Sequence, residues 1–459
     1  MTHVIQSLAD FALGLSFDKL PASTVTAAKR VILDTLGCAI GAVGCEPARI
    51  AAALATPAVE GPDSGVATII GSGEHASLKR AILVNGILNR YLDYGDVYWK
   101  RDVPHPSEVV TVALACAEVA GLSGRAFIET MLAGYEAQLR MCDAFAFQVL
   151  GMHAASAGGF VAPLMIGRAR GMDASAIAHA VALNGARHLI FSGLAKGELS
   201  MAKAIAFPLS AVEAVGACDL AAKGFTGPVG ILDWLFEARP QVLEDATRPE
   251  IDVAFERYRV EQVTLKRFPV QFEIQSGVEA AVALAARLPG PALESIEDVT
   301  VTTRPITRER TADPKKYRPS NRETADHSMP CAVAMALADG RLGAEQFEAD
   351  RWAAPDVATL MGRIKVVGDD ALEASYPNGR PARVVVRLKD GRELTEFVPV
   401  PLGDARRPMS QDDVRRKFSE LAAHCMSAER IDAIVATVER LEHLPRVSEL
   451  TALLSSSKK

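Results

Sequence analysis

From residue 3 to about residue 240, small and aliphatic side chains recur at helical spacing, through stretches such as STVTAAKRVILDTLGCAIGAV, SLKRAILVNGILNRYLDYGD and SEVVTVALACAEVAGLSGRAFIETMLAGYEAQLRMCDAF. Residues three and four apart share one face of an α-helix, so the pattern predicts a bundle of helices packed face to face. Ala39, Ala42, Ala81, Ala113, Ala115 and Ala117 have little side chain to hold backbones apart, which lets neighbouring helices approach closely around a large core. Ser23, ahead of Thr24 and Val25, and Ser107, after Pro106, read as N-caps, since a serine oxygen accepts from a free amide of the first turn.

Near residue 255 the texture changes. VEQVTLKRFPVQFEIQSGVEAAVALAARL passes from a possible strand into a helix, and IEDVTVTTR alternates with period two, as a strand with one buried face does. ARVVVRLKDGRELTEFVPV holds two more alternating runs joined by Lys389, Asp390, Gly391 and Arg392, and Asp-Gly is a strong signal for a tight hairpin turn. From about residue 409 helical spacing returns, with Ser410 capping QDDVRRKFSELAAHC. The expected fold is therefore mainly α: a large all-helical domain, residues 1–255 and 405–459, plus a smaller α/β domain of α+β type, residues 256–404. The polar stretch ERTADPKKYRPSNRETADHSMP at 309–330 reads as a long loop, of the kind that is usually functional or mobile. VATIIGSGEHASLKR offers a strand-like run with Gly71 and Gly73, but Ala76 stands where a dinucleotide fingerprint has its third glycine, which weakens a dehydrogenase reading.

The formal net charge is −6 with the two signs interspersed, so there is no electrostatic footprint for nucleic acid or an anionic membrane, and cations that receive an anionic substrate must be local. The seven cysteines (Cys38, Cys45, Cys116, Cys142, Cys218, Cys331, Cys425) sit mostly in apolar helix-like runs and read as buried thiols of a reducing compartment. No CxxC pair or HExxH occurs, so no metal site or cluster is expected. MTHVIQSLADFALGLSF has neither a basic leader nor a small-residue cleavage site, and no apolar run reaches the roughly 18 residues that span a bilayer. The expected compartment is the cytoplasm.

The densest chemistry lies in YLDYGDVYWKRDVPHPSE, residues 91–108, where Asp93, Asp96, Asp102 and His105 follow a helix end. Asp93 and Asp96 share a face if the helix continues, and His105 is held between Pro104 and Pro106, which restricts its backbone and directs its ring. That suits an imidazole exchanging protons beside an orienting carboxylate. Residue types alone favour solvated acids at a helix end and a surface histidine.

This segment resembles the stretch of the MmgE/PrpD family that runs Asp, aromatic, Asn or Asp, Asp, Thr and then His-Pro-Ser. Further similar segments follow in the family's order: LPASTVTAAKRVILDTLGCAIGA, AILVNGILNRYLDYGD, AAKGFTGPVGILD, KRFPVQFEIQSGVEAA, DHSMPCAVAMALADGRL and ARVVVRLKDGRE. The resemblance implies a homodimer with an active site between the two domains and no metal or organic cofactor. It implies catalytic roles for Asp93, His105, Lys203 and Lys266, and places Asp96, Val97, His153 and Gln271 beside the substrate. His188 and His327 read as structural or supporting. The chain departs from the pattern at Val97, where relatives carry threonine, at Tyr94-Gly95, and at Glu273 and Gln275, where histidine is frequent.

The activity implied is dehydration of a small 2-hydroxy polycarboxylate such as 2-methylcitrate. Eliminating water there removes a poorly acidic proton beside a carboxylate, and fixed cations in a dry cleft hold the charge that develops. The same parts serve a decarboxylase of cis-aconitate type or an epimerase of iminodisuccinate type, because function resides in the site rather than the fold. A non-catalytic helical binding protein is the alternative from another class; His105, Lys203 and Lys266 in one place speak against it, and wide dispersal speaks for it.

Overall fold

The computed structural model describes residues 2–54, 66–243, 257–376 and 379–456. Helices Val4–Gly14, Ala22–Gly41, Leu78–Tyr91, Glu108–Val119, Gly124–Ala144, Gly158–Ala169, Ala174–Gly185 and Ala206–Ala222 form the helical body that the periodicity predicts. The six alanines named above are all buried within it, so their work is to let backbones meet. Two caps differ from expectation. The helix at Ser23 begins at Ala22, and the Ser23 hydroxyl donates to Glu261 at 3.0 Å instead of capping. Ser107 occupies an N-cap position, yet its hydroxyl makes no cap bond, and its backbone N–H is committed to Asp96. Ser410 does cap its helix, in a reciprocal capping box with Asp413.

A mixed four-stranded sheet forms the core of the smaller body. Ile296–Thr303 lies parallel to Ile364–Gly368 on one side and antiparallel to Ala382–Leu388 on the other, and Ala382–Leu388 pairs antiparallel with Glu393–Val398. The last pair is the Asp-Gly hairpin, with Gly391 at φ 87° where a side chain would be strained. Val299, Val301 and Thr303 alternate inward. Helices Gln275–Ala285 and Met329–Asp339 pack on each other and on the sheet, closing a core of their own.

The chain changes bodies at one place. Tyr258, Val260, Val263 and Leu265 belong to the helical core, and Phe268 is the first residue in the core of the sheet. The return, from Met409 onward, brings Gln411–Ala422 against Ala22–Gly41. Both crossings touch: the Leu265 N–H donates to the Gly403 carbonyl at 3.0 Å, and a Cβ on Gly403 would lie 1.9 Å from the Leu265 oxygen, so only glycine fits. The polar stretch 309–330 is not an open loop. It folds into the end of helix Pro305–Thr311 and the short turns Pro314–Tyr317 and Arg322–Ala325, and residues 322–328 are buried. Among the described residues no single helix is long and apolar enough to cross a membrane, and all seven cysteines are buried and free.

Candidate active site

Helix Leu78–Tyr91 stops two residues short of Asp93, which adopts φ 51°. A non-glycine residue in the left-handed region costs on the order of 1 to 3 kcal/mol and persists only when its surroundings hold it. Here they do. The Asp93 carboxylate is paired with Arg90, and Lys266 Nζ donates to the Asp93 carbonyl at 2.7 Å and to its Oδ2 at 3.1 Å. Burial raises the Asp93 pKa, but Lys266, Arg90, Lys203 and His327 together outweigh it and hold the carboxyl well below its ordinary range. Burial conversely pushes the Lys266 ammonium down to about 8, with Asp93 opposing and Arg90 assisting.

The two segments that supply this pair are fastened together. Asp96–Val97 and Thr264–Leu265 form a short antiparallel pair, Tyr94 donates its hydroxyl to the Arg267 carbonyl at 2.5 Å, and the Trp99 and Phe272 rings lie 5.6 Å apart. Beneath them Lys417 donates to the carbonyls of Tyr94 at 2.7 Å and Lys266 at 2.9 Å, with Asp34 2.7 Å from the same nitrogen.

Asp93 and Asp96 do not share a helix face, because the helix has ended before either. Asp96 is fully buried; its Oδ1 accepts from the Ser107 N–H at 2.8 Å and its Oδ2 from the Tyr135 hydroxyl. Burial pushes it up to about 6 against those two bonds. Both oxygens are bonded inside the protein, whereas the resemblance places Asp96 beside the substrate. It holds the loop, and its carbonyl orients His105, whose Nδ1 lies 2.9 Å away. A carbonyl only accepts, so Nδ1 carries the proton and Nε2 of the neutral ring keeps its lone pair. Where the sequence suggests an orienting carboxylate, the Asp96 carbonyl orients this ring. Burial, then Arg90 and Lys266, hold the His105 pKa well below its usual value.

Lys203, carried by the turn Met201–Ala204, reaches across the junction to Asp326, with Nζ 3.2 and 3.0 Å from the two carboxylate oxygens. Asp326 also accepts from Arg322 at 3.1 Å and from His327 Nδ1. One ligand atom from each of Asp93, Asp326 and His327 lies within 4.8 Å of the others. A cation could span that distance, but Lys266, Arg90, Lys203 and Arg322 already pair with the two carboxylates. The donor set therefore suits an ammonium and guanidinium lattice rather than a metal. His153 belongs to the same neighbourhood: burial, Arg90 and His327 push it down to about 4, and its Nδ1 accepts from the Ala155 N–H at 3.1 Å.

The remaining expected contacts are less direct. Gln271 bonds through its backbone N–H to the Asp326 carbonyl at 2.9 Å, while its side-chain oxygen accepts from the Glu273 N–H at 2.7 Å, so it shapes the turn. Val97 is fully buried opposite Thr264. Gln275 accepts from the Arg267 and Phe268 amides and donates to the Phe268 and Val270 carbonyls, so it builds the bend after Lys266. Glu273 faces Arg310 at 3.3 Å. Sequence reasoning missed Arg90, Asp326 and Arg322. Their signal in the sequence is faint: DHSMPCAVAMALADGRL carries Asp326, but nothing local marks it as the partner of Lys203.

The assembled group has buried carboxylates balanced by cations, beside imidazoles kept neutral by burial and by those same cations. It can hold a polyanion by exchanging internal carboxylates for external ones, and it can move protons at Nε2 of His105.

Two family models match the chain, the MmgE/PrpD N-terminal domain over residues 6–238 and the MmgE/PrpD C-terminal domain over residues 268–442. Among similar proteins, cis-aconitate decarboxylase of Mus musculus is 24% identical across 99% of this chain and 94% of the relative. A 2-methylcitrate dehydratase of Cupriavidus necator is 28% identical across 83% of this chain and 82% of the relative. The probable 2-methylcitrate dehydratase of Saccharomyces cerevisiae is 25% identical across 91% of this chain and 86% of the relative.

Proposed function

The chain belongs to the MmgE/PrpD family, and from that premise we propose that it is a cofactor-independent lyase dehydrating a small 2-hydroxy polycarboxylate such as 2-methylcitrate. The observation that carries this reading is the set of four cations, Arg90, Lys203, Lys266 and Arg322, gathered on two buried carboxylates beside an imidazole of fixed tautomer. When a carbon-bound proton leaves, charge accumulates on the neighbouring carboxylate of the substrate. Preorganised cations in a dry site stabilise that charge with little reorganisation. Lys203 and Lys266 fill this role as the cleft closes around the substrate, and His105 exchanges a proton with it through Nε2.

Relatives named for dehydration and for decarboxylation are similarly distant from this chain, and a decarboxylase would use the same cations. Val97, lacking the hydroxyl that relatives have, favours a substrate whose group at that point is apolar or small. Incubating the purified protein with 2-methylcitrate, citrate, cis-aconitate and iminodisuccinate, with products identified by NMR, distinguishes these reactions. Release of water from 2-methylcitrate or citrate supports the proposal, and carbon dioxide from cis-aconitate replaces it with the decarboxylase. We further propose a homodimer, as the resemblance implies, in a reducing compartment such as the cytoplasm, which the buried free thiols suit; Phe191, Phe225 and Trp234 offer exposed apolar surface to a second copy.

A further inference from the structure

The carboxylates and the two ammonium groups of the cluster are sealed. Side-chain exposure is 0% for Lys266 and Asp326, 1% for Asp93 and 3% for Lys203. His327 retains 11%, and His105 and His153 are partly exposed. The accessible atoms of the cluster thus belong to the imidazoles and to Arg90 and Arg322, whose side chains are 9% and 8% exposed, with the carboxylates and the two ammonium groups behind them.

Two of these rings are built alike. His105 commits Nδ1 to the Asp96 carbonyl, and His327 commits Nδ1 to the Asp326 carboxylate, which leaves Nε2 of each neutral ring with its lone pair. The oxygen behind the ring differs. A carboxylate behind an imidazole stabilises the imidazolium formed when the ring takes a proton, more than a carbonyl dipole does. Asp326 is held there by Lys203 and Arg322, so its orientation is fixed. The two rings also come from opposite bodies: His105 from the loop that precedes helix Glu108–Val119, and His327 from the turn that precedes helix Met329–Asp339.

We propose that His327 is a second proton-transfer residue of this site, acting across the junction from His105, an inference that rests on the lyase reading above. His327 Nε2 takes the carbon-bound proton, and the electron pair of the broken C–H bond becomes the new C=C bond. The C–O bond breaks, and the departing oxygen takes a proton from the His105 imidazolium to leave as water. His327 then gives its proton to solvent and His105 takes one up, which restores both. The carboxylates of the bound substrate oppose Arg90 and Lys266, so His105 gains its proton as the substrate binds. Asp326 is a positioning residue in this scheme.

The test uses the full chain. Diethyl pyrocarbonate, which acylates neutral imidazole, is applied with and without tricarballylate, a tricarboxylate with no hydroxyl to lose, and modified peptides are mapped by mass. His327 is expected to react and to be protected by tricarballylate; no reaction, or reaction without protection, overturns the proposal whether or not any substrate turns over. His327→Asn keeps an N–H for Asp326 in the place of Nδ1 and removes Nε2. Its kcat on the best panel substrate should fall about a hundredfold or more, with KM and thermal midpoint near native. Free imidazole should restore part of the activity of His327→Ala. Native kcat in the Asn variant assigns His327 to scaffolding and ends the proposal. If the unaltered protein turns over no panel substrate, the lyase reading falls, and the protection experiment alone decides whether His327 faces a polycarboxylate.

Discussion

Replacing Lys266 by Met separates what this ammonium does for the fold from what it does for the reaction. Its Nζ donates to both the carbonyl and the carboxylate of Asp93, which also holds Arg90. Removing one partner of a buried pair strands the other and costs about 3 to 5 kcal/mol, and because Arg90 stays on Asp93 the lower end of that range is expected. Methionine is of similar length, so little cavity cost is added. In the double variant Lys266→Met with Asp93→Asn both members are gone. Arg90 then has Glu108, 3.9 Å from its Nε, to turn to, and most of the lost stability should return. Activity should not return with it. A fixed cation facing charge that develops in the transition state is worth roughly 10²–10³ in kcat, and both variants lack it. Urea unfolding followed by circular dichroism gives the first quantity, and kcat at neutral pH gives the second. A folded Lys266→Met protein with kcat within about threefold of native would refute the electrostatic role. A double variant no more stable than the single one would refute the pairing argument.

The family resemblance places Val97 beside the substrate where its pattern has threonine; on that placement Val97→Thr supplies a partner for a substrate oxygen whose loss costs about 1 to 3 kcal/mol, so kcat/KM for 2-methylcitrate should rise about tenfold; an unchanged value sinks the specificity argument. Burial pushes Glu108 up to about 7 from 4.5, against the pull of Arg90. A carboxyl with a raised folded pKa favours the folded state fully below pH 4.5 and loses that contribution as pH rises through 7. Glu108→Gln should therefore flatten the fall of unfolding free energy over that window by about 3 kcal/mol, and an identical pH profile in the variant would count against the shift. Activity should persist in EDTA, because Lys266, Arg90, Lys203 and Arg322 occupy the carboxylates a metal would need; loss of turnover restored by a single metal would overturn this.

Much of the fold was legible because it rests on local periodicity. The alanine spacing set the helices, Asp390-Gly391 set the hairpin, and Ser410 set its cap. What failed were the places where tertiary bonds override local preference. Ser23 and Ser107 look like caps, but the first is drawn to Glu261 and the second to Asp96. Part of the polarity of 309–330 is used inside the protein, by Lys316 on the Gly197 carbonyl and by Arg322 and Asp326 at the site, while Glu309, Arg310, Lys315 and Arg318 face water. Polarity in a sequence does not say whether a charge meets water or a buried partner.

The candidate site shows the same limit, and it also explains why the chain returns to the helical body after the sheet. Lys266 and Asp93 are 173 residues apart in sequence, and nothing local fixes their distance. Lys417 does, from a third segment. Its ammonium is 4% exposed, donates to the carbonyls of Tyr94 and Lys266, sits 3.9 Å from the centre of the Tyr94 ring, and is balanced by Asp34 on helix Ala22–Gly41. One buried cation thus ties four segments at the point where both crossings between the bodies meet. Buried charge is a poor source of net stability but a good source of uniqueness, since only one arrangement satisfies every donor. By that logic helix Gln411–Ala422 is retained for the register of Lys266 against Asp93, and the left-handed backbone at Asp93 is sustained by the same bonds. The sequence shows Lys417 only as a lysine on an amphipathic helix. Its role exists in the contacts, so periodicity could reveal the helix without revealing what it holds.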